Sequence, residues 1–185
     1  MGFVFAQSRR KITIETAARI AQSVPHIGKA GVFVNQPLAE VREIADYCGL
    51  NYVQLHGDES PEYCQAVGVP VIKGFSVGPD FGKASTVLYN VEYFLLDSLV
   101  AGKSGGTGIS FDWCRSREVA GELTKPFLVA GGLTPDNVAE AIRVLTPDGV
   151  DVSGGVETGG EKDVEKIRLF IDAARKAEES GRFAK

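Results

Sequence analysis

Residues 125–155 read KPFLVAGGLTPDNVAEAIRVLTPDGVDVSGG. An apolar run over Pro126–Ala130 stops at Gly131-Gly132, and a second run, Gly149–Ser153, stops at Gly154-Gly155. Both runs have the length and the Val/Phe content of buried strands. The stretch between them, Pro135–Val144, has the apolar spacing of an amphipathic helix. Thr134 is placed to cap its free N–H groups, and Pro135 sits where a missing donor does no harm. Strand, helix, strand in this order is a βαβ unit, with parallel strands and a right-handed crossover.

The same alternation fills the rest of the chain. Strands are expected at Gly2–Phe5, Ala30–Val34, Tyr52–Leu55, Val69–Gly74 and Tyr93–Asp97. Helices are expected at Ile14–Ser23, Leu38–Tyr47, Pro61–Val67, Trp113–Gly121 and Val164–Ala177, the last capped by Asp163. The segment Asp80–Tyr89 is patterned weakly enough to hold only a short helix, and the polar tail Glu178–Lys185 is expected to fray. Repeated crossovers imply an α/β fold whose parallel sheet is covered on both faces. A doubly wound open sheet and a (β/α)₈ barrel both fit. The count of seven strands favours the open sheet, because the barrel has eight units and typically about 250 residues. The polar residues decide for the barrel. They follow several strands, as in barrel sites, rather than collecting at one crevice. The expectation is a TIM-type barrel with about seven of its eight units, forming one domain over residues 1–185.

Composition bounds the function. The chain has 185 residues, 44% hydrophobic and 24% charged, with a net charge of −4. That is a globular balance, and its acidity argues against a nucleic-acid surface. Cys48, Cys64 and Cys114 are odd in number and lack C-x-x-C spacing, so neither disulfides nor zinc are expected. With only His26 and His56 besides, no metal and no cofactor are expected. No leader pattern and no membrane-length apolar run occurs, so the expected location is cytoplasmic, with no membrane partner.

Glycine-rich turns follow three strands: Gly105-Gly106-Thr107-Gly108, Gly131-Gly132, and Gly154-Gly155 after Ser153. Glycine lets backbone N–H groups reach an anion, and barrels often bind phosphate at the loops after their last two strands. Asp97 ends the run Phe94-Leu95-Leu96 and is either a general acid or base or a loop-capping carboxylate. Asp151 either holds sugar hydroxyls or satisfies loop amides. Arg9 and Arg10 follow the first strand, where one is suited to a carboxylate and the other to solvent. His56 reads as a hydrogen-bonded wall residue at a strand end. Lys73, inside a strand, either faces the ligand or snorkels. The cysteines read as small buried residues.

Six motifs stand in one order: Gly31-Val32-Phe33-Val34-Asn35, Val53-Gln54-Leu55-His56-Gly57, Phe94-Leu95-Leu96-Asp97-Ser98, Gly105–Gly108 with Phe111-Asp112-Trp113, Ala130-Gly131-Gly132-Leu133, and Asp151-Val152-Ser153-Gly154-Gly155-Val156-Glu157. Together they resemble the phosphoribosylanthranilate isomerase family of tryptophan biosynthesis, over essentially the whole chain. The resemblance implies a (β/α)₈ barrel and an Amadori rearrangement of N-(5-phosphoribosyl)anthranilate to its 1-deoxyribulose isomer. It implies that Asp97 is the general acid and that Arg10 meets the anthranilate carboxylate. It implies that Asp151 holds the sugar hydroxyls, while His56 is expected to bind substrate from its place at a strand end. Gly131, Gly132, Ser153, Gly154 and Gly155 bind phosphate, although the family more often has serine at position 154. The only implied partner is this small phosphorylated substrate.

One departure stands beside the matches. The family opens with a strand carrying Lys-x-Cys-Gly, whose cysteine is the general base, and none of the three cysteines here matches it. The opening Gly2-Phe3-Val4-Phe5 with Ser8-Arg9-Arg10 resembles the family's second strand and loop instead. The expectation is that the natural protein carries more chain before Met1, and that residues 1–185 alone turn over poorly. They are also expected to self-associate through open barrel edges. Two other functions compete: a related sugar-phosphate isomerase or lyase, and a non-catalytic sugar-phosphate binder. The Gln54–Gly57 and Phe94–Ser98 runs argue against the first, while Asp97 is compatible with the second.

Overall fold

The computed structural model describes residues 1–77, 81–98, 117–118 and 120–182. The Gly105–Gly108 turn, the Phe111-Asp112-Trp113 motif, Cys114 and most of the expected Trp113–Gly121 helix lie outside these residues, as does the opening of Asp80–Tyr89. The chain divides into two compact units, Met1–Phe75 with Leu88–Phe94, and Ser76–Val87 with Leu95–Lys185.

The first unit is built on parallel strands β1 (Gly2–Val4), β2 (Ala30–Phe33), β3 (Tyr52–Leu55) and the start of β4 (Val71–Val77), hydrogen-bonded in chain order. Their register runs Phe3↔Gly31, Gly31↔Val53 and Val53↔Val71. The opening residues of β5 (Tyr93–Ser98) follow β4 in that order. Helices α1 (Ile14–Ser23), α2 (Leu38–Cys48) and α3 (Pro61–Ala66) make the crossovers. Each helix has a local cause. Thr13 Oγ1 accepts from the Thr16 amide at 3.3 Å to start α1, and Ser60 Oγ accepts from the Tyr63 amide at 3.2 Å to start α3. Gly49 ends α2 in the left-handed region at φ 59°, where its N–H reaches the last carbonyls. The core is Phe33, Val41, Val53, Leu55 and Phe94, all fully buried, with Phe5 stacked on Phe33 at 5.2 Å. Phe75 meets Tyr89 and Phe94 edge-on.

In the second unit the rest of β5 is followed by β6 (Phe127–Ala130) and β7 (Gly149–Val150), again in chain order. The last two are parallel, with Val129 opposite Val150. Helix α4 (Lys83–Thr86) is the short helix expected within Asp80–Tyr89, and α5 (Val138–Leu145) packs against α6 (Val164–Arg182). A small antiparallel hairpin, β8 (Glu157–Thr158) and β9 (Glu161–Lys162), was not expected from the sequence.

Three expectations are corrected. The strand read as Gly149–Ser153 ends at Val150, because the chain turns at Gly154–Val156 into a 3₁₀ turn. Thr134 does cap, its Oγ1 accepting from the Asp136 amide at 3.3 Å, but α5 starts at Val138 rather than at Pro135. Asn137 Oδ1 takes the Thr134 amide at 2.8 Å, closing a preliminary turn, and the helix begins at Val138. The tail does not fray at Glu178, since α6 runs to Arg182. Asp163 does cap α6, accepting from the Glu165 and Lys166 amides at 3.0 and 3.2 Å.

Thr13→Ala should lower the unfolding free energy by about 1 kcal/mol in urea titration, with Thr13→Ser close to wild type.

Candidate active site

In the first unit the polar side chains gather where strands β2 and β3 end. Asn35 follows β2 with φ 53°, a left-handed conformation that asparagine tolerates better than most residues. Its amide donates to Glu59 Oε1 at 2.8 Å, and its Oδ1 accepts from the Asp58 amide at 2.7 Å. Glu59 Oε2 accepts from the Gly57 amide at 2.9 Å and from Lys73 Nζ at 3.0 Å. Lys73 also donates to the carbonyls of Leu55, Gly57 and Gly74. Both side chains are 2% exposed, so this is a buried ion pair. Lys73 neither snorkels nor reaches outward; it ties β4 to the loop after β3.

His56 lies inside this frame, half-buried. Its Nδ1 is 3.2 Å from Gln54 Nε2. The ring lies against Gly74, where a Cβ would come within 2.8 Å of Nδ1, so only glycine leaves it room. Arg10 is half-buried and its amide donates to Ser8 Oγ at 3.1 Å, while Arg9 is exposed. The sequence reading missed Glu59. The signal was available: a lysine inside an apolar strand requires a nearby carboxylate.

Burial opposes ionisation of Glu59, but the backbone amides and Lys73 outweigh it and hold its carboxyl below the ordinary carboxylate range. Cys48 and Cys64 are buried in α2 and α3. Burial pushes both thiols up, Cys64 to about 11, which leaves them protonated and unreactive at neutral pH.

In the second unit Asp97 is the penultimate residue of β5 and is half-buried after the buried Leu95 and Leu96. Gly131 and Gly132 follow β6 with φ 84° and 64°, a pair of left-handed residues that needs glycine. Asp151 follows β7 directly, its side chain exposed and its amide bonded to the Val129 carbonyl at 2.8 Å. Ser153 then leads into the turn of Gly154 and Gly155, with no side chain capping it. The two glycine turns meet backbone to backbone: a Cβ on Gly155 would lie 1.8 Å from the Leu133 carbonyl oxygen. Arg10 and His56 thus belong to the first unit, and Asp97, Asp151 and both glycine turns to the second. Among the described residues no group of His, Cys, Asp or Glu is placed to hold a metal ion. None of their helices is long and apolar enough to cross a membrane.

Three outcomes follow from this geometry. Glu59→Gln or Lys73→Met alone should cost about 3–5 kcal/mol in chemical unfolding, and the double variant less than the sum. The folded-state pKa of Glu59 is depressed, so its contribution is complete above its unfolded pKa near about 4.3. That contribution should disappear from an unfolding series as pH falls through the lower folded value, and Glu59→Gln should flatten that part of the curve. Gly155→Ala should destabilise by about 1–3 kcal/mol, because the backbone of one turn must move off the other.

Comparison with known proteins places the chain. Residues 1–173 match the family model of N-(5'phosphoribosyl)anthranilate (PRA) isomerase. An N-(5'-phosphoribosyl)anthranilate isomerase of Moorella thermoacetica is 47% identical over 183 residues, 97% of this chain and 81% of the relative. The solved phosphoribosyl anthranilate isomerase of Thermotoga maritima superposes with a TM-score of 0.81 at 35% identity, covering 95% of this chain and 87% of that one. A further such isomerase was solved with reduced 1-(o-carboxyphenylamino)-1-deoxyribulose 5-phosphate, at a TM-score of 0.79 and 34% identity, with 95% and 86% covered. The fold is the (β/α)₈ type, and this chain belongs to the phosphoribosylanthranilate isomerase family.

Proposed function

We propose that the chain catalyses the Amadori rearrangement of N-(5-phosphoribosyl)anthranilate, with Asp97 as general acid. The observation that carries this is the pairing of two glycine turns, after β6 and β7, in the same unit as a carboxylate next to the end of β5. Gly131, Gly132, Ser153, Gly154 and Gly155 hold the 5-phosphate, mainly through amides. Asp151, exposed beside them, accepts hydrogen bonds from the sugar hydroxyls. Arg10 meets the anthranilate carboxylate as a bidentate donor, and His56 lines the substrate's path as a fixed polar wall.

The chemistry assigned to Asp97 is proton donation to the furanose ring oxygen. As the C1–O bond breaks, the anilino nitrogen supplies the electron pair and a ring-opened imine forms. A base takes the C2 proton to give an enolamine, a proton then adds at C1, and the C2 hydroxyl releases its proton as the ketone forms. Cys48 and Cys64 are not candidates for the base, since each is a buried, protonated thiol on a helix.

Asp97→Asn should lower turnover by about 10²–10⁴-fold, read as the decay of substrate fluorescence. Binding of the reduced product should persist. Turnover at the wild-type rate would contradict the assignment.

A further inference from the structure

The β8–β9 hairpin has no core of its own: Thr158, Gly159, Gly160, Glu161 and Lys162 are all exposed. Two strands of two residues are not stable by themselves in water. What the hairpin does have is a set of hydrogen bonds back to the chain just before it. Gly159 and Gly160, at φ 62° and 91°, reverse the chain and set Lys162 opposite Glu157. Lys162 Nζ then lies 2.8 Å from the Ser153 carbonyl oxygen, 3.4 Å from Ser153 Oγ and 3.1 Å from Glu157 Oε1. The Glu157 side chain is only 5% exposed, while that of Lys162 is 50% exposed. Lys166 Nζ donates to the Glu157 carbonyl at 2.8 Å, and the Asp163 amide to the Val156 carbonyl at 2.9 Å. Every one of these bonds ends within Ser153–Glu157.

We propose that Lys162 is a positioning residue for phosphate binding, acting through the Ser153–Gly154 peptide. This rests on the reading of Ser153–Gly155 as a phosphate turn. A trans peptide is planar, and its C=O and N–H point in opposite directions. Lys162 holds the Ser153 carbonyl at 2.8 Å, so the Gly154 N–H of the same peptide is turned away from the ammonium. Without a hold, a peptide leading into two glycines has many orientations of similar energy. The opposite orientation would present a carbonyl oxygen to an incoming phosphate. The ammonium is engaged by Ser153 O, Ser153 Oγ and Glu157 Oε1. The role assigned to Lys162 is to set this amide.

The test compares two ligands on the full-length protein: reduced 1-(o-carboxyphenylamino)-1-deoxyribulose 5-phosphate and its dephosphorylated counterpart. Lys162→Met should weaken binding of the first by about tenfold, or about 1.4 kcal/mol. Binding of the second should stay unchanged, and Lys162→Arg should recover most of the loss. The half-exposed position makes folding of these variants straightforward to confirm by thermal melting. Equal losses for both ligands, or no loss for the phosphorylated one, would overturn the proposal. If the wild type binds both ligands equally, the phosphate turn itself is misread and the role of Lys162 falls with it. A wild type that prefers the phosphorylated ligand alongside an unaffected Lys162→Met would overturn the role of Lys162 alone.

Discussion

The approach of Gly155 to the Leu133 carbonyl is the constraint on which the second unit's functional surface depends. Two strand ends can share one anion only if their following loops touch, and here they touch without side chains between them. Each neighbouring feature is consistent with that contact. Gly131 and Gly132 adopt left-handed conformations that bring the first turn back toward the second. Strand β7 is cut to two residues so that Ser153 can leave it early. The hairpin that follows returns a lysine to the carbonyl from which the turn departs. A methyl group at position 155 would separate the turns and remove the reason for the rest.

The first unit solves the same problem with charge. Its loops after β2 and β3 are fixed by Glu59, which accepts from two backbone amides and a lysine, and by Lys73, which donates to three carbonyls. Desolvating two ions costs several kcal/mol each, and the pair is retained only because nearly every lone pair and proton is used. An apolar substitute of the same volume can match the pair in stability but cannot hold two loops by their backbone groups. The placement of His56 between Gln54 and the bare Gly74 backbone depends on that hold.

The alternation of strands and helices was legible because parallel, doubly covered strands leave short apolar runs separated by periodic ones. The glycine turns were legible for the same reason that they work: few residues other than glycine suit those positions. Boundaries that depend on tertiary bonds were not legible. Thr134-Pro135 has the composition of a helix start, yet the Asn137 side chain captures the Thr134 amide and delays the helix. Asp151 sits in an alternating run, but strand β7 ends just before it and its side chain is exposed. The tail is polar, yet α6 continues through it to Arg182. Glu59 was overlooked because an acidic residue in a turn ordinarily faces water. Only the register of β3 with β4, Leu55 opposite Lys73, brings the lysine to it.

The most direct test of the account is a crystal structure of the protein with reduced 1-(o-carboxyphenylamino)-1-deoxyribulose 5-phosphate bound. The account predicts the phosphate within hydrogen-bond distance of amides from both glycine turns, Gly131-Gly132 and Gly154-Gly155. It also predicts Lys162 still on the Ser153 carbonyl. A phosphate held by side chains elsewhere, with the two glycine turns facing only solvent, would contradict it.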